Sequence, residues 1–166
     1  MKLRISHFIS IGGILSAFAV LFQLSPVILP GVGLILSPMT TLPIAIAASL
    51  SFPLGILTLL ASAPIVFIFS PEECMIMLLT TGPFGIALGS VINGSKPVAL
   101  LLPALTLFAG MSLLTYVMQI AAFGDLTASF TFPVTLLVFI FFSFIYTTLW
   151  AFLLKKIKSI DTRYRT

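Results

Sequence analysis

The sequence predicts an all-α integral membrane protein, a single transmembrane domain over residues 1–166 built as a bundle of six transmembrane helices. Hydrophobic residues make up 60% of the 166 residues and charged residues only 7%, whereas a soluble domain carries about 25% charged residues. The apolar stretches approach or reach the roughly 20 residues that a helix needs to cross a bilayer. The few charges lie at the chain ends and in short interruptions, so we expect the chain to lie in a bilayer.

Turn-forming residues divide the apolar sequence into its predicted spans. Backbone groups in lipid must be paired within their own segment, and the alternating pattern of a membrane barrel is absent, which leaves helices. Pro30-Gly31 ends the first span, Ser51-Phe52-Pro53 separates the second from the third, and Ser70-Pro71 precedes the fourth. The segment 93–97 precedes the fifth span and 123–131 precedes the sixth. The predicted spans are His7–Leu29, Leu34–Leu50, Pro53–Phe69, Glu72–Ile92, Pro97–Ala122 and Phe132–Leu154.

The first span shares some features with a secretory signal peptide. Lys2 and Arg4 give a basic start, and Ala17-Phe18-Ala19 resembles a small-residue cleavage site. Hydrophobicity continues to Leu29, however, which is the length of a membrane span rather than of a signal peptide. We therefore expect this segment to be retained as a transmembrane helix.

The charged residues predict the orientation of the bundle. Six spans place all the basic residues on one side of the membrane, which the positive-inside rule identifies as the cytoplasm. Both chain termini are then cytoplasmic, while Glu72, Glu73 and Asp125 fall on the opposite side. The basic residues concerned are Lys2, Arg4, Lys96, Lys155, Lys156, Lys158, Arg163 and Arg165.

Several classes of function are excluded by what the sequence lacks. The net charge of +4 comes from residues that flank membrane spans, so we expect anionic lipid headgroups rather than nucleic acid as their partners. A lone cysteine, Cys74, and a lone histidine, His7, make a disulfide or a zinc site improbable. No phosphate-binding G-x-x-x-x-G-K-[ST] loop is present, so the chain cannot hydrolyse ATP by that route. We expect no cofactor and no metal.

An enzyme is also not expected. Intramembrane CAAX-type proteases resemble this chain in having adjacent glutamates, here Glu72-Glu73. In that family an arginine follows the pair and histidine motifs come later, whereas here Cys74 follows and the only histidine is His7. The resemblance therefore predicts no catalytic residue.

Small residues on the first span are the candidate docking face. Gly13 and Ala17 stand four residues apart, as do Gly12 and Ser16, so each pair shares a helix face. Small side chains allow another helix to approach closely. Two interpretations stay open: packing within this bundle, or docking of a separate membrane subunit.

The fourth span has a capped start and a predicted break. Ser70-Pro71-Glu72-Glu73 predicts a helix beginning with Ser70 as N-cap and Glu73 completing a capping box. Gly82-Pro83 predicts a distortion, because proline removes a backbone donor and clashes with the preceding turn. Gly85 and Gly89 predict close helix packing at that point.

The candidate ligand-binding residues are polar groups predicted on the acidic side of the bundle. Tyr116 and Gln119 stand three residues apart and are expected to share a face of the fifth span. Glu72 and Asp125 are acids near the membrane border that can meet a cationic group. Hydrogen bonding between helices is the alternative role for the uncharged groups.

Taken together, these features resemble the substrate-binding S component of energy-coupling factor (ECF) transporters, and a related uncharacterised bacterial membrane family. The resemblance covers nearly the whole chain: six helices, cytoplasmic termini, short loops, and Gly13–Ala17 where the ECF family has an Ala-xxx-Ala face. The segment from Ser25 to Pro38 matches in place the external loop that covers the substrate. The related family is similar over Pro71 to Gly85 and at Gly89.

The resemblance implies a multi-pass protein of the bacterial cell membrane that captures a vitamin-like micronutrient. It also implies docking through the first span on a membrane coupling subunit driven by separate ATPases. Two other functions stay open. One is a non-catalytic membrane scaffold or partner subunit, for which the small faces suffice. The other is a small homo-oligomeric transporter whose broken fourth helix lines the path.

Overall fold

The structure of the protein is a computed structural model that describes residues 5–92, 94–120 and 132–164. The described residues form helices joined by short connections and contain no strand, which confirms the all-α prediction. A segment of 3-10 helix, Ser37–Thr40, leads into α4, and a segment of π-helix, Met77–Thr81, joins α6 to α7. The α-helices are α1 Ile5–Gln23, α2 Ser25–Ile28, α3 Val32–Leu36, α4 Thr41–Leu50, α5 Phe52–Phe69, α6 Pro71–Ile76, α7 Gly82–Val91, α8 Lys96–Tyr116 and α9 Phe132–Tyr164.

Five of the described helices are long and apolar enough to cross a membrane: Ser6–Gln23, Phe52–Phe69, Pro71–Val91, Lys96–Tyr116 and Phe132–Lys156. They correspond to five of the predicted spans, with ends shifted by several residues.

The predicted second span, Leu34–Leu50, corresponds to a shorter apolar helix, Ser37–Leu50. Four residues of 3-10 helix and ten of α-helix give it a length of about 23 Å, against about 30 Å of hydrocarbon. The segment from Ser25 to Pro38, which the family resemblance predicts as an external loop, contains α2 and α3.

The contacts between helices define their directions. Helices α1 and α5 run parallel, since Gly12 faces Leu54 and Ser16 lies one turn further along against Thr58. Helices α8 and α9 run in opposite directions, because the ring of Tyr116 packs on that of Phe132 with centroids 5.0 Å apart.

These directions separate the charges of the described residues. Glu72 and Glu73, at the start of α6, lie at the end of the bundle where α1 finishes, which we call the acidic end. Lys96 begins α8, and Lys155 and Lys156 lie in the distal part of α9, so these three lysines belong to the opposite, basic end. The division matches the charge asymmetry predicted from the sequence.

Helix α4 occupies the centre of the bundle and packs mainly against α7. Its residues Ile44, Ala45 and Ala47 are fully buried. The contact with α7 is close at Gly89, where a β-carbon would collide with the carbonyl oxygen of Ala45. Gly85 also faces α4, since its added β-carbon would lie 3.1 Å from the β-carbon of Ile44. The Gly85–Gly89 pair therefore serves internal packing.

The predicted distortion at Gly82-Pro83 is present as the π-helical segment that ends at Thr81. Pro83 has no N–H to donate to the carbonyl oxygen of Leu79, four residues earlier. A local change to π-helix accommodates such a defect without ending the helix. The backbone of α8 approaches the Leu79 carbonyl at Gly110, where a β-carbon would collide with the Leu79 oxygen.

Large apolar side chains cover much of the described exterior. Ile68 is 79% exposed, Ile35 76% and Phe152 69%. Water would penalise such exposure on every face of the bundle, whereas lipid tails do not. The exterior therefore agrees with a membrane location.

Candidate functional site

A groove lies on the outer surface between α1 and α5. We call it the α1–α5 groove, and its volume is about 500 Å³. Small residues and bulky apolar side chains from both helices line it. The lining residues are Phe8, Ile9, Gly12, Gly13, Ser16, Ala17, Leu54, Leu57, Thr58, Ala61 and Ile65.

The two small pairs of α1 are placed differently in this groove. Gly12 and Ser16 face α5: a β-carbon on Gly12 would lie 3.1 Å from Leu54, and Ser16 is buried. Gly13 and Ala17 are exposed, and a β-carbon on Gly13 would meet no atom within 4 Å. Packing within the bundle therefore accounts for Gly12 and Ser16 but leaves Gly13 and Ala17 without a covering helix among the described residues.

Thr58 is an unpaired polar group in the same groove. Its side chain is 1% exposed, and its hydroxyl Oγ1 has no hydrogen-bond partner. Its carbonyl oxygen, in contrast, accepts hydrogen bonds from Ser16 Oγ at 3.2 Å and from Ser62 Oγ at 2.8 Å. A buried hydroxyl without a partner carries a free-energy cost of about 1–3 kcal/mol.

A second candidate site is a buried polar network near the acidic end. Gln23, at the end of α1, is fully buried, and its Nε2 donates to Glu73 Oε2 at 2.7 Å. Thr81 Oγ1 donates to Gln23 Oε1 at 3.2 Å. One amide thus links α1 to both ends of the segment that contains α6 and the π-helix. Its hydrogen bond to Oε2 orients the carboxylate of Glu73, and the hydrogen bond from Thr81 orients the amide itself.

The helix start at Ser70 explains why Glu73 is free to join this network. Ser70 Oγ accepts a hydrogen bond from the Glu73 N–H at 3.3 Å, which confirms the predicted N-cap. The rest of the predicted capping box is wrong: the Ser70 N–H donates to the carbonyl of Val66 at 2.8 Å. Since this donor is already satisfied, the carboxylate of Glu73 turns to Gln23 instead.

Two threonines lie at the junction of the 3-10 segment and α4. The 3-10 segment that carries Thr40 packs against both α1 and the π-helical segment. Thr40 is fully buried, and its Oγ1 has no hydrogen-bond partner. Its neighbour Thr41 shares a 3.3 Å hydrogen bond with the hydroxyl of Tyr146, which also donates to the carbonyl of Pro38 at 3.0 Å.

The predicted ligand-binding residues occupy different elements of the described chain. Glu72 is exposed at the start of α6, and Tyr116 is 41% exposed at the end of α8. Gln119 is exposed beyond α8, and Asp125 lies outside the described residues. No hydrogen bond joins any two of Glu72, Tyr116 and Gln119 in the part of the chain that the structure describes.

The prediction that Tyr116 and Gln119 share a helix face is wrong. Helix α8 ends at Tyr116, and the carbonyl of Leu113 accepts the N–H groups of both Val117 and Met118. Gln119 then adopts a left-handed conformation with φ of 57°. Helical spacing therefore no longer applies between the two residues.

The sequence predicted Glu73 as part of a helix start and did not connect it with Gln23 or Thr81. A glutamine within an apolar span and an acid at the membrane border are each unusual, but nothing in their spacing pairs them. The described residues also contain no group of three or more metal-ligating side chains. Comparisons with protein-family models, with curated proteins and with solved structures found no match.

Proposed function

We propose that this chain is the membrane-embedded substrate-capture subunit of a micronutrient uptake system, energised by separate ATPase partners. It docks on a membrane coupling subunit through the α1–α5 groove, with Gly13 and Ala17 at the contact. The observation that carries the proposal is the exposure of both residues on a face with open space at Gly13.

The proposed arrangement in the membrane has six crossings. Helical backbone is continuous from Val32 to Leu50, through α3, the 3-10 segment and α4. If straight, this run would measure about 30 Å, which is the thickness of the hydrocarbon core. The basic end then faces the cytoplasm with both termini, and the acidic end faces outward.

The proposed occupant of the α1–α5 groove is a transmembrane helix of the partner. The groove lies along two helices of membrane-spanning length, so either lipid or another helix covers it. Small residues favour a helix as the occupant, because they let two helix backbones approach closely. Gly13 and Ala17 are the exposed small residues that would face the partner helix.

Substrate capture is assigned to the acidic end. Buried polar side chains in a membrane bundle are costly, and they mark sites where polar ligands or ions are handled. The fixed carboxylate of Glu73 and the unpaired hydroxyl of Thr40 are such groups. Glu72, Tyr116, Gln119 and Asp125 remain the predicted outer contacts of a small-molecule ligand.

Two other functions have specific observations in their favour. Docking alone explains the exposed face at Gly13. This face therefore agrees equally well with a non-catalytic scaffold or partner subunit that binds no substrate. The π-helical segment Met77–Thr81 suits a small homo-oligomeric transporter, since such segments are frequent at functional sites.

Purification from native membranes separates these functions. The protein is extracted in mild detergent, and co-purifying proteins and bound small molecules are identified by mass spectrometry. A coupling subunit with ATPases, together with a retained small molecule, supports substrate capture. A different membrane partner without any ligand favours the scaffold, and a homo-oligomer without another subunit favours the transporter.

A matched pair of variants links the result to the groove. Gly13→Leu fills the open face of α1, and Ala109→Leu adds similar bulk at an exposed position of α8 outside the groove. The proposal requires partner loss in the first variant and partner retention in the second, with both proteins folded.

A further inference from the structure

Helix α9 is attached to the rest of the bundle in two different ways. Among the described elements, α8 is the one that packs closely against it, and the rings of Phe132 and Phe139 adjoin Tyr116 there. The contact of α9 with the central helices is made by large side chains, among them Phe84 and Trp150, which meet in one hydrophobic cluster. The position of α9 relative to α4 therefore depends on side chains rather than on close contact between backbones.

Tyr146 reaches from α9 to the segment that begins α4. Its hydroxyl donates to the carbonyl oxygen of Pro38 at 3.0 Å. Because its one hydrogen is used there, it accepts from Thr41 Oγ1 at 3.3 Å. Its ring packs on that of Phe84 in α7, with centroids 5.1 Å apart. Thr41 and Phe84 are fully buried, so one phenol connects α9 with the interior of the bundle.

Two hydroxyls on the buried face of α9 are unpaired. Ser143 is 2% exposed and Thr147 is fully buried, and neither hydroxyl has a hydrogen-bond partner within the described chain. Thr148, on the exposed side, shows the usual arrangement in a helix, since its Oγ1 donates to the carbonyl of Phe144 at 2.8 Å. A buried hydroxyl without a partner has a free-energy cost. The packed position of α9 therefore includes a cost that is relieved when these hydroxyls are hydrated.

From these contacts we infer that the Tyr146 hydroxyl is a latch: it holds α9 closed against α4, and its release gives a second state with α9 further from α4. The hydrogen bonds of Tyr146 favour the closed state, and the unpaired hydroxyls of Ser143 and Thr147 favour the open one. Opposing contributions keep two conformations close in free energy. The open state gives water or lipid access to the buried face of α9. The latch requires neither a partner nor a substrate, so it stands apart from the proposed function.

Trp150 is a reporter of this opening that the protein already contains. It is the sole tryptophan of the sequence, it is 4% exposed, and its ring centroid lies 6.0 Å from that of Tyr146. The full-length protein is reconstituted into phosphatidylcholine vesicles with brominated or unbrominated acyl chains, and acrylamide is added to the unbrominated set. Quenching by bromine measures contact of the indole with lipid, and quenching by acrylamide measures its contact with water. The closed state predicts weak quenching by both.

Tyr146→Phe keeps the ring and removes the latch. We expect it to raise the quenching of Trp150 by bromine or by acrylamide roughly twofold or more. Thr41→Val removes one of the two partners of the hydroxyl without altering α9, and it should raise quenching less. Thr148→Val is the matched control, because it removes an exposed hydroxyl of the same helix and should change nothing. Unchanged quenching by both reagents in a folded Tyr146→Phe would overturn the inference, as would an equal rise in Thr148→Val.

Thr147→Val distinguishes a latch from a general loosening of the bundle. It removes an unpaired buried hydroxyl while keeping the side-chain shape, so it should favour the closed state. Added to Tyr146→Phe, it should therefore return quenching of Trp150 toward the wild-type value. Equal or greater quenching in the double variant than in Tyr146→Phe would overturn the inference. If Tyr146→Phe does not fold, the same comparison is made in Thr41→Val, with the same two outcomes.

Discussion

The side-chain amide of Gln23 donates a 2.7 Å hydrogen bond to the carboxylate of Glu73, 50 residues away in sequence. This contact joins the end of α1 to the start of α6. Glu73 retains its backbone contact with the N-cap Ser70 while its side chain points to another helix. One glutamate thus contributes to a helix start and to a tertiary contact.

The first prediction concerns the stability of this contact. Gln23→Leu removes the donor to Glu73 and the acceptor of Thr81, and should lower the free energy of unfolding by about 2–3 kcal/mol. Glu72→Gln is the control, because Glu72 is exposed and its change should stay within about 0.5 kcal/mol. Denaturant unfolding in detergent measures both. Equal stability of the two variants would mean that the contact contributes nothing.

The second prediction uses the unpaired hydroxyl of Thr58. Thr58→Val should leave the isolated protein as stable as the wild type, or more stable by up to about 1 kcal/mol, because it removes an unsatisfied buried group. Docking of the partner should be unchanged, since the hydroxyl is buried beneath the groove surface. Thermal unfolding and partner recovery are measured on the same preparations.

Ser62→Ala is the companion variant for Thr58. Ser62 Oγ donates to the Thr58 carbonyl from the buried side of α5, so its loss should lower stability without a direct effect on docking. If Thr58→Val destabilises the isolated protein as much as Ser62→Ala does, the Thr58 hydroxyl has a hydrogen-bond partner in the folded protein and the prediction is wrong.

The third prediction contrasts two glycines. Gly89→Ala should lower the free energy of unfolding by about 1–3 kcal/mol, because its β-carbon collides with the Ala45 carbonyl. Gly13→Ala should have no cost, or should stabilise by about 0.5–1 kcal/mol, because alanine is favoured in helices and the space is open. Unfolding of the two variants under the same conditions compares them. A destabilising Gly13→Ala would show that an element of this chain covers the face.

Hydropathy alone predicted the five helices that are long enough to cross a membrane. The structure shows why the predicted second span is shorter than these. The five long helices follow from uninterrupted apolar sequence, whose backbone groups have no other partner in lipid. Leu34–Leu50 is equally apolar, but its first part forms α3 and a 3-10 segment. Pro38 and Pro43 lie in that region, and each removes a backbone donor. Hydropathy does not show such changes of helix type.

The candidate sites were predictable only where they depend on local spacing. The spacing of Gly13 and Ala17 placed them on one face, and the structure exposes that face. The pairing of Gln23 with Glu73 depends on how α1 packs against α6, which no local pattern encodes. The capping box offered a local explanation for Glu73, and the Ser70 N–H was already used by Val66. Tyr116 and Gln119 separated because the helix ended between them.

Docking at the α1–α5 groove is tested most directly by site-specific photocrosslinking in native membranes. A photoreactive amino acid replaces Ala17 in one variant and Ala109 in the other, since both positions are exposed and only Ala17 lines the groove. The proposed function predicts a crosslink from position 17 to one separate membrane protein, abolished by Gly13→Leu, and none from position 109. Crosslinks only to lipid, or the same crosslinks from both positions, would contradict it.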